Sequence, residues 1–380
     1  MASNLELQIN AFIMKLKRRQ LPGTVETAQK TVELLRVVVS SQPRCTTSSL
    51  LEAVRDVGKR LVDASSELVV GNMVRRVMYV IREEDQQDSA RDRDRDDQSD
   101  FDEDEDDGAG QEETLTLGGP KDSKIMRARS LASLLEYQTP AAGTAPSSSA
   151  AVSRKLKHNI IECMNELIFD LGNICSQIAE QASEHLHANE IILTFGFSTT
   201  VLKFLKTAKK RNIAAVVAEA APYYDGHKMA KQLAAAGIQT TAISDSAIFA
   251  MMARINMVVV GASAVLANGG VIAQVGLHTV ALAAKQHAVP FVVLTGLHKL
   301  SPEQPFDPAV TMNDVKSPGE ILDFRTLENE ASGQLHVTNP TYDYIPPSLV
   351  SLFITDGGGH CPSYVYRLLA DHYSPEDYTL

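Results

Sequence analysis

Cysteine is scarce in this sequence. The four cysteines, Cys45, Cys163, Cys175 and Cys361, are widely separated, form no CxxC pair and have no histidine at the spacing of a metal ligand. The ten histidines do not cluster either. We therefore expect buried free thiols in a reducing compartment, and we expect no disulfide, no metal site and no bound cofactor.

Long apolar runs are also missing. No stretch approaches the roughly 18 consecutive apolar residues that a membrane-spanning helix needs. The N-terminal segment MASNLELQINAF lacks the basic start and the unbroken apolar run of a secretory signal. We expect a soluble, cytoplasmic protein that does not bind a membrane.

The folded part of the sequence has no net excess of positive charge. The formal net charge is −11, and the segment from Arg82 to Asp107 alone contains 15 acidic and 4 basic residues, a difference of −11. The remainder is therefore close to neutral, which argues against a broad basic surface and direct nucleic-acid binding. The acidic segment cannot bury enough apolar surface to fold, so it is predicted to be disordered.

Composition and periodicity divide the chain into successive segments. Apolar residues at three- and four-residue spacing predict helices at the N-terminus, and the short connections between them favour a compact bundle. The predicted order is an N-terminal helical domain over 1–81, an acidic disordered insertion over 82–123, a weakly ordered helix with a Pro/Ala/Ser linker over 124–150, a long connecting helix over 151–188 and an α/β domain over 189–380.

Strands and helices alternate after residue 189. Continuous apolar strands between helices are typical of a parallel sheet covered on both faces, so the fold class is α/β, a helical bundle followed by a doubly wound, Rossmann-like domain. The predicted strands are 191–194, 215–218, 240–243, 257–261, 291–294 and 349–355, and the predicted helices are 198–209, 226–236, 245–255 and 273–287. Ligands of such sheets bind outside the carboxyl ends of the strands.

The strand ends carry few groups suited to catalysis. Ser198 or Thr199 opens a helix after the first strand, where a phosphate site or a simple N-cap explains the hydroxyls equally well. Glu219, after the second strand, is a candidate general base, although an acid there more often binds loop amides. Ser263, after the fourth strand, has no histidine or lysine beside it in sequence. The sequence alone therefore shows no credible catalytic set.

Taken in order, these strand-end motifs resemble one superfamily. They are ILTFGFSTTVLKFLK, AEAAPYYDGHKMA, ISDSAIFAMM, VVVGASAVLANGGVIAQVGLHTVALAAKQHAVPFVV and NPTYDYIPPSLVSLFITDGGGHCPSYVYRLL. The superfamily contains the regulatory subunits of eukaryotic translation initiation factor 2B and the methylthioribose-phosphate and ribose-bisphosphate isomerases. The GFS turn, the VGLHTVALAAKQH helix and the YDYIPP segment favour the beta-type regulatory branch.

The resemblance also implies which catalytic groups are absent. Gly196 matches the cysteine of the isomerases, Ser263 their aspartate and Ala221 an arginine. Substrate contacts of the isomerases match Gly270, Ala273 and Gln274. Proton transfer requires a positioned acid or base, which glycine cannot supply. We expect Glu219, Asn268 and Asp343, which remain, to support the scaffold of the former crevice.

The resemblance implies a function between chains. It implies a non-catalytic subunit of the guanine nucleotide exchange complex for initiation factor 2, paired with a delta-type subunit, assembled with alpha, gamma and epsilon subunits, and sensitive to phosphorylation of the alpha subunit of initiation factor 2. The predicted subunit-interface residues are Asn189, Val216, Thr241, His278 and His287. Two alternatives stay open: a sugar-phosphate aldose-ketose isomerase, and a subunit that senses a nucleotide or sugar phosphate.

Overall fold

The computed structural model describes residues 2–21, 23–42, 46–99, 148–308, 313–323 and 335–380. The N-terminal half is helical, as predicted. Apolar residues on one side of each helix meet in a common core that includes Ile9, Val32, Leu61 and Ile160. The helices are α1 Ala2–Lys17, α2 Thr24–Ser41, α3 Thr47–Ala64, α4 Leu68–Ser99 and α5 Ser148–Glu180.

Helix α4 is longer than the sequence predicts. The prediction that disorder begins at Arg82 is wrong for residues 82–99, which continue the helix. Neighbouring elements hold its middle part, because Arg82 pairs with Asp377 and Asp85 accepts a hydrogen bond from Thr47. The charge density of the segment does not reveal these tertiary contacts.

Helix α5 begins at Ser148, inside the predicted linker over 124–150. The rest of that linker, 124–147, and the predicted insertion from 100 to 123 lie outside the described residues. The predicted connecting helix over 151–188 is interrupted after Glu180 and resumes for one short turn. None of the helices that the structure describes is long and apolar enough to cross a membrane.

The second half of the chain is the predicted α/β domain. Its strands are β1 Ile191–Phe195, β2 Ala214–Ala218, β3 Gln239–Ile243, β4 Met257–Gly261, β5 Ala264–Val265, β6 Val271–Gln274, β7 Phe291–Leu294, β8 Tyr342–Ile345, β9 Leu352–Thr355 and β10 Gly358–His360. Its helices are α6 Ala182–His185, α7 Thr199–Thr207, α8 Asp225–Ala235, α9 Ile248–Met252, α10 Leu277–Gln286 and α11 Val365–His372.

The main sheet has seven strands in the order β10-β9-β7-β4-β1-β2-β3. All neighbouring pairs are parallel except β9 and β10. The chain reverses direction across the sheet between β1 and β4, so the crevice expected in a doubly wound fold lies at their carboxyl ends. The fold-class prediction is confirmed.

A second, antiparallel sheet, β5-β6-β8, was not predicted. Its middle strand contradicts the predicted helix over 273–287, because residues 271–274 pair with β8 and only Leu277–Gln286 is helical. Gly276, at φ 98°, separates the two elements. A side chain there would meet the ring of Phe195 at 2.7 Å, so glycine is required.

The apolar core extends over both faces of the main sheet. One face joins the helical bundle, with Ile192 and Val259 in the same cluster as the bundle helices. The other face packs under α9, α10 and α11. The C-terminal segment then crosses back to the bundle, where Leu380 contacts the bundle cluster.

The cysteine prediction holds only in part. Cys163, Cys175 and Cys361 are free, but only Cys175 is buried; Cys163 is half-buried and Cys361 is exposed. Cys45 lies outside the described residues.

Candidate functional site

The first strand end of the crevice is closed by a side chain from β6. Gly196 follows β1 with φ 61°, a conformation that favours glycine. A Cβ atom at this position would lie 2.6 Å from Oε1 of Gln274 and 3.3 Å from Cβ of Ala220. Two of the positions predicted to have lost catalytic groups are therefore in contact, and the glutamine occupies the space that a side chain at Gly196 would need.

Asp245 organises the second strand end. Its two carboxylate oxygens accept hydrogen bonds from the amides of Ala220 at 2.9 Å and Ala221 at 2.7 Å. The sequence suggests that an acid at the position of Glu219 binds loop amides, but Glu219 does not bind the amides of Ala220 and Ala221 in the structure. Its carboxylate lies 3.6 Å from Nε2 of the exposed His227. The sequence does not indicate this role of Asp245, because a single acidic residue after a strand belongs to no motif.

Tyr344 closes the fourth strand end. The amide side chain of Asn268 donates to the Tyr344 hydroxyl at 2.8 Å and accepts from the amide of Gly270 at 2.8 Å. A Cβ atom on Gly270 would lie 2.5–2.8 Å from the tyrosine ring and hydroxyl. Gly270, which the resemblance matches to a substrate contact of the isomerases, is thus covered by a phenol ring. The hydroxyl of Ser263 has no hydrogen-bond partner among the described residues, so nothing described there activates it.

Asp343 holds the start of α10. Its Oδ2 accepts hydrogen bonds from the amides of Gly276 at 2.7 Å and His278 at 3.3 Å. A carboxylate at a helix N-terminus satisfies free amides and favours the helix dipole. Ala273, its partner in the β6–β8 ladder, is fully buried. The contacts of Asp343 support the scaffold role that we propose for it.

Lys299 and the buried His298, near the crevice, were not predicted as site residues. Nζ of Lys299 donates to the carbonyl of Ala262 at 2.7 Å, and burial lowers the pKa of Lys299 to about 8. The neighbouring His298 is 4% exposed, and neither of its ring nitrogens has a partner among the described residues. Burial lowers the pKa of His298 to about 3, so the ring is neutral at physiological pH.

A cleft of about 620 Å³ lies between the bundle and the antiparallel sheet. Its polar lining comprises Lys17, Arg19, Asp63, Ser65, Ser66, Glu67, Asp314, Lys316, Thr341 and Tyr342. Glu67 has one buried carboxylate oxygen without a described partner, and burial raises its pKa. Beside the cleft, Tyr223 donates to Glu320 and lies under the ammonium group of Lys316 at 4.3 Å. Basic and acidic side chains both line the cleft, so the charge of the lining alone does not select an anion.

The predicted interface residues do not share one surface. Asn189 is exposed at the amino end of β1, Thr241 is exposed on the edge strand β3, and His278 and His287 are half-buried near opposite ends of α10. Val216 is corrected, because it is 4% exposed and lies in this chain's own core. It lies on β2, between β1 and the edge strand β3.

An exposed apolar patch lies next to His287. Phe249 on α9 is 56% exposed and Leu282 on α10 is 51% exposed. The ring of Phe249 meets the ring of His287 edge-on at 4.9 Å between centroids. We call Phe249, Leu282 and His287 the α9–α10 patch. Exposed aromatic and aliphatic side chains packed together mark interaction surfaces.

The described residues contain no group of three or more His, Cys, Asp or Glu side chains that could hold a metal ion. Comparison with known proteins identifies the family. The model of the initiation factor 2 subunit family matches residues 20–362. This chain belongs to that family.

The eIF2B beta subunits of other organisms resemble this chain along almost its whole length. The beta subunit of translation initiation factor eIF2B from Dictyostelium discoideum is 43% identical over 372 residues, which covers 97% of this chain and 95% of the relative. The crystal structure of eIF2B beta from Chaetomium thermophilum has a TM-score of 0.72 at 27% identity and covers 99% of this chain and 94% of that one. A chain of the tetrameric eIF2B-beta2-delta2 complex of the same organism has a TM-score of 0.68 at 26% identity and covers 97% and 95%.

Isomerases of the superfamily are more distant. The ribose 1,5-bisphosphate isomerase of Pyrococcus furiosus is 30% identical over 212 residues, which covers 55% of this chain and 65% of the enzyme. The whole-length relatives are therefore subunits of eIF2B, whereas the isomerase similarity covers little more than half of the chain.

Proposed function

We propose that this chain is a non-catalytic regulatory subunit of the cytoplasmic guanine nucleotide exchange complex for initiation factor 2. It pairs with a delta-type subunit, assembles with alpha, gamma and epsilon subunits, contributes to binding initiation factor 2 and helps to sense phosphorylation of its alpha subunit. The exchange chemistry belongs to another subunit.

The state of the crevice is the observation that carries this proposal. Gln274 fills the space beside Gly196, and the Tyr344 ring covers Gly270. An aldose-ketose isomerase must place an acid or base within hydrogen-bonding reach of its substrate. The chain has glycine at both positions, and the side chains of Gln274 and Tyr344 occupy the space that an acid or base would need.

The α9–α10 patch supplies the second argument. A protein–protein interface draws most of its binding energy from a few buried aromatic or aliphatic side chains. Phe249 and Leu282 are large, apolar and about half exposed in the single chain. We assign them to the contact with the delta-type subunit. The existence of a tetrameric beta2-delta2 complex for the Chaetomium thermophilum relative supports a delta-type partner.

The assembly is tested by co-expression with a delta-type subunit and native mass spectrometry. The expected result is a complex containing both chains, and Phe249→Asp should weaken it at least tenfold. Phe306→Asp is the matched control, because Phe306 is 85% exposed but lies in a loop that belongs to neither α9 nor α10. A homodimer that excludes the delta-type subunit, or equal loss in both variants, would contradict the proposal.

The isomerase alternative is tested separately with methylthioribose 1-phosphate and ribose 1,5-bisphosphate as substrates. We expect no turnover by the purified chain. Turnover that Ser263→Ala abolishes would overturn the non-catalytic assignment.

A second candidate, small-molecule sensing, is favoured only by the cleft of about 620 Å³ beside Arg19 and Lys316. Calorimetric titration with ribose 5-phosphate and with AMP tests it. Saturable heat that Lys316→Ala removes would support a ligand site, and its absence would leave the cleft as packing space between the bundle and the sheet.

A further inference from the structure

A local basic surface lies on the α/β domain, although the chain as a whole is acidic. Between Val201 and Lys231 the sequence has seven basic residues and two acidic ones. The basic side chains are Lys203, Lys206, Lys209, Lys210, Arg211, Lys228 and Lys231. The net charge of the whole folded sequence is close to zero and does not reveal this local excess of basic residues.

These side chains come from two adjacent elements. Helix α7 packs beside α8, and the turn after α7 brings Nζ of Lys209 to 3.1 Å from the Cβ position of Gly237, just beyond the end of α8. Lys203, Lys206 and Lys210 are spaced three and four residues apart, so they project from one side of α7 and its following turn. The opposite side, with Phe204 and Leu205, is fully buried.

Most of this charge is uncompensated. Lys228 pairs with Asp225 at 2.8 Å, and Arg211 donates to the carbonyl of Ser183 at 2.6 Å. The other five lysines are exposed and form no ion pair with any residue that the structure describes. We call Lys203, Lys206, Lys209, Lys210 and Lys231 the lysine surface. Like charges gathered without counter-charges cost folding free energy, and such a surface gains most from an anionic partner.

The composition of the surface favours a carboxylate-rich polypeptide over a nucleic acid. It consists of lysines, whose flexible point charges suit scattered carboxylates, whereas Arg211, the guanidinium nearest to it, is already engaged with Ser183. Exposed aromatic side chains, on which unpaired bases stack, are missing from the described part of α7 and α8 apart from Tyr224, which stacks on His227 at the far end of α8. The N-terminus of α7, the end that attracts phosphate, is capped by Ser198 at the opposite end from Lys210.

We propose that the lysine surface is a docking site for an acidic segment of a partner polypeptide. From Lys203 to Lys210 the helical rise amounts to about 10 Å, so a segment with three or four carboxylates can contact the α7 lysines at once. The attraction is electrostatic and exposed, so it speeds and orients association and weakens as salt increases.

Fluorescence anisotropy of the full chain with a labelled 20-residue polyglutamate peptide tests this directly. We expect binding at low salt that weakens at least tenfold in the triple variant Lys203→Glu, Lys206→Glu, Lys210→Glu. The control triple variant carries the same charge change at exposed lysines elsewhere, Lys15→Glu, Lys59→Glu, Lys155→Glu, and should bind within twofold of the unaltered chain. A Lys→Gln version of the first triple variant should show an intermediate loss and guards against unfolding, which circular dichroism monitors in each protein.

Three results would overturn the proposal. The first is no binding of polyglutamate at low salt, and the second is equal weakening in both triple variants, which would indicate a response to net charge alone. The third is tighter binding of polyuridylate than of polyglutamate, which would identify a nucleic-acid surface instead.

Discussion

Asp377 provides a strong test of how the C-terminus is joined to the bundle. Its carboxylate is fully buried and accepts hydrogen bonds from Nη2 of Arg55 at 3.1 Å and from Nε and Nη2 of Arg82, both at 3.0 Å. Three helical or turn elements meet there: α3, α4 and the turn Pro375–Asp377. Asp377→Asn keeps the volume and removes the charge.

The expected cost follows from the geometry. A hydrogen bond to a charged group contributes about 1.5–3 kcal/mol, and removing one partner of a buried pair costs about 3–5 kcal/mol. Both arginines remain partly solvated, at 38% and 25% exposed, which lowers the penalty of leaving them unpaired. We therefore expect Asp377→Asn to lower the free energy of unfolding by about 3 kcal/mol.

Urea unfolding of the full chain measures this cost, and Glu376→Gln is the matched control. Glu376 pairs with the same Arg82 at 2.6 Å but is 70% exposed, so its loss should cost less than about 1 kcal/mol. Hydrogen exchange should also rise near Arg55 and Arg82 in Asp377→Asn alone. A loss below 1 kcal/mol for Asp377→Asn, or equal losses in the two variants, would refute the reasoning.

Three further predictions concern the crevice and the domain junction. His298 has a pKa of about 3 when folded and about 6.5 when unfolded, so between these pH values the unfolded chain binds one more proton than the folded chain. The free energy of unfolding therefore falls as the pH drops below 6.5, by about 2 kcal/mol at pH 5. His298→Phe should flatten that part of a plot of urea midpoint against pH, and an unchanged slope would contradict the burial. Gly270→Ala should cost about 1–3 kcal/mol because of Tyr344, and should cost less in a Tyr344→Ala background; equal thermal shifts in both backgrounds would contradict the contact. Asp343→Ala should cost about 1 kcal/mol and speed hydrogen exchange at the start of α10, and unaltered exchange there would show that its two hydrogen bonds do not hold the helix.

The periodicity of the sequence predicts the bundle and the parallel sheet because each element is long enough to repeat its pattern. It misses β5, β6, β8 and β10, because none of these short strands is a fully apolar run of four residues, as β7 is. Residues 271–274 read as part of a helix because apolar residues continue into α10, and only the pairing with β8 distinguishes them. The high charge and the few apolar residues after Arg82 predict disorder, yet contacts from α3 and the C-terminal turn hold the first turns of that region in the helix.

The candidate site shows a similar division. The resemblance identifies Gly196 and Gly270 as altered positions, but nothing in the sequence indicates that Gln274 and Tyr344 fill the space beside them. Asp245 and Lys299 lie far from their partners in sequence, at separations of 25 and 37 residues, and neither belongs to a motif. Interface residues are harder to predict: Val216 is buried, and the exposed Phe249 and Leu282, which we propose for the interface, belong to no sequence pattern.

In the crevice, Gln274 and Tyr344 lie where side chains at Gly196 and Gly270 would need space. Asp245 and Asp343 hold the crevice loops, and large apolar side chains are exposed on α9 and α10. In the function that we propose, the doubly wound sheet is a rigid support for contacts with other chains.

The most direct test of this account is GDP release from initiation factor 2, catalysed by the exchange complex reconstituted with and without this chain. With the chain present, we predict that phosphorylation of the alpha subunit of initiation factor 2 slows release, and that omitting the chain removes this inhibition while the catalytic subunit retains basal activity. Equal inhibition by phosphorylation in the presence and absence of the chain would contradict its regulatory role.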